Sequence, residues 1–178
     1  MLDNYGFETY EQNEFPLAYL ITFRTYGTWY PGDERWAVRR NRKSRTETKF
    51  LPPNVPLEER MREELGVPPL LLRMEQRQAV EEAVREVCRL RGYVLHAVNV
   101  RTNHVHSVTS VQAKPERVAD ALKAYSTRRL RERGLIEAGS MVWSRGRSRR
   151  YLWKPRHVDA AVDYVLHGQG DMPFELDD

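Results

Sequence analysis

Apolar positions recur along this chain with different periods, and each change of period marks an element. Leu17-Ala18-Tyr19-Leu20-Ile21-Thr22-Phe23-Arg24-Thr25 is nearly continuous in apolarity and rich in β-formers, which predicts a central strand. Gly27, Pro31 and Gly32 then punctuate a loop. A basic run from Arg35 to Arg45, with Trp36 inside it, could touch a phosphate backbone but reads rather as a solvated loop, and the prolines at 52, 53, 56, 68 and 69 bracket one short helix over Leu57–Gly66. The whole of residues 27–73 is expected to be an insertion between core elements.

From Glu75 to Arg91 the period is helical. Val80, Ala83, Val84, Val87 and Cys88 fall at i, i+3, i+4, i+7 and i+8, while Gln76, Arg77, Glu81, Glu82, Arg85 and Arg89 cover the other side and Gly92 ends the run. Cys88 lies on the buried stripe and is expected to be core. Tyr93–Val100 and His104–Thr109 are strand-like, and the short link Arg101-Thr102-Asn103 makes them an antiparallel hairpin. Pro115 suits the first position of a second helix, with Val118, Ala121, Leu122 and Tyr125 on its buried stripe and Gly134 closing it. Residues 139–153 mix small, basic and aromatic residues around Gly146 and are expected to form a hairpin-like or irregular pair of short strands. A third helix is predicted over Val158–Leu166, its stripe formed by Val158, Ala161, Val162, Val165 and Leu166, with Gly168 breaking it.

The order is therefore strand, helix, strand, strand, helix, strand, and a final helix. That is the split β-α-β pattern of the ferredoxin-like plan, an α+β domain with a central antiparallel sheet. Two helices should cover one face, leaving the late helix near the other. One domain over residues 1–178 accommodates all of it, with residues 1–15 as an acidic N-terminal arm.

Charge adds a partner. The formal net charge is only +4, but residues 114–156 hold thirteen Lys and Arg against four acids, whereas residues 1–15 carry Asp3, Glu8, Glu11 and Glu14 with no base. A basic half on a nearly balanced chain points to a polyanion, the competing reading being a solvated helical face. The single cysteine excludes an intramolecular disulfide and a cysteine metal cluster, and fits a cytoplasmic setting. No apolar run reaches the roughly 18 residues of a membrane span, and the acidic, aromatic N-terminus does not read as a signal peptide.

Chemistry enters at Asn103-His104-Val105-His106. Side chains two apart in a strand share a face, which puts the two imidazoles about 6 to 7 Å apart along the chain, close enough to chelate one metal ion. Two donors leave the shell incomplete, and an HxH pair alone is a weak signal. On the third helix, stepping about 100° per residue from Val162 places Tyr164 about 200° away, off the anchoring stripe and on the side shared by His157, Ala160 and His167. A tyrosine there is either a half-exposed aromatic or a nucleophile.

Taken together, the Asn-His-Val-His strand, Tyr164-Val165-Leu166-His167-Gly168-Gln169 on a late helix, and the opening Leu20-Ile21-Thr22-Phe23-Arg24-Thr25-Tyr26-Gly27-Thr28-Trp29 resemble the HUH endonuclease superfamily. The similarity is to its single-tyrosine transposases of the insertion-sequence type, including relatives associated with repetitive extragenic palindromes, and spans most of residues 17–170. It implies that Tyr164 attacks DNA to give a 5′-phosphotyrosine, and that His104 and His106 hold Mg²⁺ or Mn²⁺. The family's third ligand, a Gln or Asn one turn beyond the tyrosine, has two candidates. Regular helical geometry favours His167, at i+3, and a helix broken at Gly168 turns Gln169 inward; Gln169 fits the family pattern better.

The implied substrate is single-stranded or hairpin DNA. Arg145, Arg147, Arg149, Arg150, Lys154 and Arg156, interleaved with Trp143, Tyr151 and Trp153, suit phosphates and exposed bases, and Arg128 and Arg129 would extend that surface. Trp143 and Trp153 are equally suited to the core. Family members include homodimers that place the tyrosine helix in the partner's site and monomers that keep it, and the linker Arg145–His157 permits either. The competing functions are a hairpin-binding protein without catalysis and an RNA-binding ferredoxin-like domain, although the stacking signatures of the latter are not evident.

Overall fold

The strand at residues 18–24 organises the domain by pairing along both of its edges. In the computed structural model, which describes residues 14–28, 37–40, 48–51, 63 and 68–168, β1 (Ala18–Arg24) is followed by β2 (Ala37–Arg40), β3 (Thr48–Leu51), α1 (Met74–Arg91), β4 (Val94–Val100), β5 (His104–Ser110), α2 (Pro115–Glu132), β6 (Ser148–Leu152) and α3 (Pro155–His167). The main sheet has the order β4-β5-β1-β6, with every neighbouring pair antiparallel. This is the expected α+β, ferredoxin-like arrangement. β2 and β3 form a separate antiparallel ladder inside the expected insertion, so Ala37–Arg40 of the basic run is strand rather than loop. The short helix expected over Leu57–Gly66 and nearly all of the acidic arm lie outside the described residues.

Alternation along β1 explains its unbroken apolarity, because both faces of the sheet are covered. Tyr19, Ile21 and Phe23 join Val98, Val100 and Val105 under α1 and α2, while Ala18 and Leu20 join Ala97, Val108 and Leu152 under α3. α1 buries Ala79, Val80, Ala83, Val84, Val87 and Cys88, as its period requires. Burial pushes the Cys88 thiol up to about 11, consistent with a core residue. Gln76, expected on the polar side, is buried. Its Oε1 accepts from the Arg73 amide at 2.8 Å and its Nε2 donates to the Leu135 carbonyl at 2.8 Å, so both ends of the amide are used to start α1 and fasten the loop after α2. Gly92 takes φ 66° and closes α1, the left-handed turn that glycine adopts without cost.

Residues 139–153 do not pair with one another. Trp143 bridges to Thr25 and Ser148–Leu152 pairs with Ala18–Thr22, so both pieces lie along the free edge of β1. The open edge of a central strand offers a continuous row of backbone partners, which a short internal hairpin does not. Lys123 holds the intervening loop by donating to the carbonyls of Ser144 (2.8 Å) and Gly146 (3.0 Å).

α3 starts at Pro155, earlier than expected, and its buried face is turned by roughly 50° from the predicted stripe. Ala161 and Val165 are its fully buried residues, Val162 and Tyr164 flank them half-buried, and Leu166 is exposed. The physical reason is close approach. The sheet beneath is already filled by Leu20, Val108 and Leu152, so the helix seats a small side chain, Ala161, against them. Tyr164 thereby moves from the far side of the helix to the margin of its contact with the sheet.

Candidate active site on the second sheet face

His104 and His106 project from β5 toward the α3 side, because Val105 between them is committed to the other core. Their ring centroids are 4.5 Å apart at an interplanar angle of 75°. Tyr164 comes down from α3 so that its ring centroid lies 5.5 Å from that of His106. Residues separated by about sixty positions in sequence thus form one cluster at the edge of the apolar seam between α3 and the sheet.

Each imidazole is oriented through Nδ1. His104 Nδ1 lies 2.6 Å from Asn103 Oδ1, and since that oxygen only accepts, Nδ1 is the donor and Nε2 is the nitrogen left for a metal ion. His106 Nδ1 lies 2.7 Å from Thr22 Oγ1, directly across the ladder from it. When the threonine hydroxyl accepts, His106 likewise presents Nε2. Burial, then the charges of Arg24 and Arg101, lower the His106 pKa to about 4, so this imidazole is neutral at physiological pH. Imidazoles aimed by their Nδ1 bonds, with His106 neutral, are what a divalent ion requires of histidine.

The donor set is two-sided in character but not complete. Among the described residues no group of three or more His, Cys, Asp or Glu is placed to hold a metal ion. His167 points to solvent, with Nδ1 2.9 Å from Asp163 Oδ1. Gln169 lies outside the described residues. The pair fits an ion that takes its other positions from oxygen donors, as Mg²⁺ and Mn²⁺ do.

Strand alternation divides the expected basic surface. Arg150 stands opposite Leu20, hence on the α3 face, whereas Arg149 reaches back to Glu116 of α2 at 3.0 Å and Arg147 pairs with Asp120. Arg145, Lys154 and Arg156 border the same strand and the start of α3, with Arg145 and Arg156 exposed. Arg129 is engaged by Glu86 (2.6 Å) and Glu82 (3.2 Å) of α1, and Arg128 lies over the Tyr125 ring at 4.5 Å. Trp143 packs edge-on against Phe23 at 4.9 Å and is a core residue. Trp153 is exposed and runs nearly parallel to Tyr151, 6.3 Å away. Sequence reasoning did not single out Thr22, Asn99, Arg24 or Arg101. Their signal is the register, which sets Thr22 and Asn99 on either side of His106 and Arg24 beside His104.

Two imidazoles and a phenol gathered on the second face of a four-stranded antiparallel sheet define an α+β domain with a histidine–tyrosine centre. The family described as IS200-like transposases matches residues 70–162, just over half of the 178, a span that includes both histidines and stops two residues short of Tyr164. The chain belongs to the IS200-like transposase family, and is thereby a DNA transposase. A protein from Deinococcus radiodurans R1 assigned as a transposase is similar to it at 15% identity, covering 92% of this chain and 98% of the other, with a TM-score of 0.49. A REP-associated tyrosine transposase bound to a REP hairpin is similar at 15% identity, over 89% of this chain and 70% of the other, with a TM-score of 0.48. No curated protein matches the chain. Among the described residues no helix is long and apolar enough to cross a membrane.

Proposed function

We propose that the protein cuts and rejoins single-stranded DNA, presented as a hairpin, by transesterification at Tyr164. The observation that carries this reading is the convergence of Tyr164 on His106, ring centroids 5.5 Å apart, with His104 a further 4.5 Å from His106. The phenol oxygen attacks the scissile phosphorus, a Tyr164 O–P bond forms, and the P–O3′ bond breaks. The phenol loses its proton and the departing 3′-oxygen gains one. The 5′-phosphotyrosine preserves the energy of the diester, so a second 3′-hydroxyl can displace the tyrosine without ATP.

His104 and His106 would hold a divalent ion through Nε2, with Gln169 as the third protein donor by its place in the sequence. Bound there, the ion would withdraw charge from the scissile phosphate. The chain's own contribution is alignment: Asn103 and Thr22 fix the imidazoles, and α3 fixes the phenol beside them. Arg24 and Arg101 bring positive charge to the same face, where a phosphodiester would lie. Arg150, Lys154, Arg156 and Arg145 supply phosphate contacts leading to the site, and Trp153 with Tyr151 offers a face to an unpaired base. Tyr164 meets His106 of its own chain, which supports cleavage in cis.

The test is a labelled hairpin oligonucleotide with Mn²⁺ and denaturing electrophoresis. A covalent protein–DNA adduct is expected, lost in Tyr164→Phe while hairpin binding persists. Tight binding with no adduct under any metal would instead identify a hairpin-binding protein without catalysis.

A further inference from the structure

We propose that Asn99 is the positioning residue for the tyrosine, its side-chain amide holding the last turn of α3 so that Tyr164 stays beside the histidine pair. This deepens the reading of Tyr164 as nucleophile and rests on it. Asn99 lies in β4 directly across the ladder from His106, so both side chains leave the same face of the sheet. Its Nδ2 donates to the Val165 carbonyl at 2.8 Å. A carbonyl only accepts, which fixes the orientation of the amide. One hydrogen bond therefore joins the strand neighbour of His106 to the peptide neighbour of Tyr164.

The bond acts where the helix needs it. Val165 is in the last turn of α3, whose terminal carbonyls are those a helix leaves without an internal partner. The apolar anchoring of α3 is thin, since of its thirteen residues only Ala161 and Val165 are fully buried. One such bond is then a large share of what holds the tyrosine turn in place. Asparagine is also a poor strand former, so neither propensity nor core packing explains this residue at the penultimate position of β4. Its chemistry does.

The experiment compares Asn99→Leu and the isosteric Asn99→Asp with the parent protein. Amide hydrogen exchange of the DNA-free proteins reads the helix, and single-turnover adduct formation on a hairpin with Mn²⁺ reads the reaction. In both variants exchange over α3 should quicken by about fivefold to tenfold while α1 and α2 keep their protection, as loss of one hydrogen bond implies. The maximal adduct rate should fall by a similar factor at an unchanged half-saturating DNA concentration. Unchanged α3 exchange in both variants overturns the proposal, as does a loss confined to the half-saturating concentration. Should Asn99→Leu fail to fold, Asn99→Asp decides alone. Absence of an adduct from the parent protein would remove the nucleophile reading, and the exchange measurement would still decide the tether.

Discussion

Thr22 and His106 face one another across the β1–β5 ladder, with Oγ1 and Nδ1 2.7 Å apart. The hydroxyl orients the ring and, when it accepts, leaves Nε2 as the nitrogen offered. Thr22→Val keeps the shape and removes the partner, and is expected to weaken Mn²⁺ binding by roughly 10- to 100-fold, the usual cost of losing a group that orients a ligating histidine. Thr22→Ser should retain most of the affinity. Titration of free Mn²⁺ by electron paramagnetic resonance checks both, and equal affinity in all three proteins would show that Thr22 has no part in the site.

The same imidazole predicts a pH dependence of stability without metal. Burial first, with Arg24 and Arg101, lowers the folded-state pKa of His106 to about 4, against about 6.5 unfolded. The unfolded chain therefore binds a proton between these values that the folded chain refuses. Above pH 6.5 both forms are neutral and there is no penalty; as pH falls from 6.5 to 4, stability declines by an amount on the order of 3 kcal/mol, and below 4 the difference stays level. Denaturant unfolding in chelator from pH 7.5 to 4 should show this slope. Replacing His106 with Asn should flatten it by that amount, because carboxylates titrating in the same range contribute to both proteins equally.

Gly168 carries a third prediction. A Cβ built on it would sit 2.3 Å from the Tyr164 carbonyl oxygen and 3.1 Å from a carbon of the Tyr164 ring. The first contact is with backbone, so the end of α3 must move to accept even alanine. Gly168→Ala should reduce adduct formation by about tenfold or more, in the range expected when a nucleophile is misplaced by about 1 Å, with hairpin affinity kept. Gly146→Ala, where an added Cβ meets nothing within 4 Å, is the control and should be unaffected.

The architecture was readable from the sequence because the main sheet and its helices obey simple periods. Continuous apolarity in β1, the 3.6-residue stripe of α1 and the short β4–β5 link leave few topologies. His104 and His106 were readable for the same reason, since strand alternation fixes a shared face. What failed did so where a period gave way to packing. Hydropathy put Leu166 in the core and Tyr164 opposite it, but the helix seats on Ala161, a choice made by the space above Leu20 and Val108. Gln76 looked like a solvent-facing residue, and Arg129 like part of the DNA surface, until their partners, Leu135, Glu82 and Glu86, arrived from distant segments. Thr22 and Asn99 carry no motif, and only the register reveals them.

Arg129 and Arg149, like Arg147, therefore separate from Arg145, Arg150, Lys154 and Arg156 in what their loss should do. Both are held by carboxylates on helices, and Arg129 has a side chain only 21% exposed. Arg129→Ala should lower stability by about 1 kcal/mol through its broken pairs with Glu82 and Glu86, with hairpin affinity changed little. Differential unfolding and DNA titration on the same samples make the distinction.

Arg150 should behave in the opposite way. It projects from β6 on the face that holds the histidines and the tyrosine, while its neighbour Arg149 projects to the other and meets Glu116. A phosphate contact contributes to affinity by releasing counterions, so Arg150→Ala should weaken hairpin binding across all sequences and reduce the slope of log affinity against log salt by roughly one, or somewhat less on a single strand. Arg149→Ala should leave that slope unchanged. Fluorescence anisotropy with a labelled hairpin at several salt concentrations measures both. Equal effects from the two neighbours would mean that DNA wraps the edge of β6 rather than running along the face that carries Tyr164.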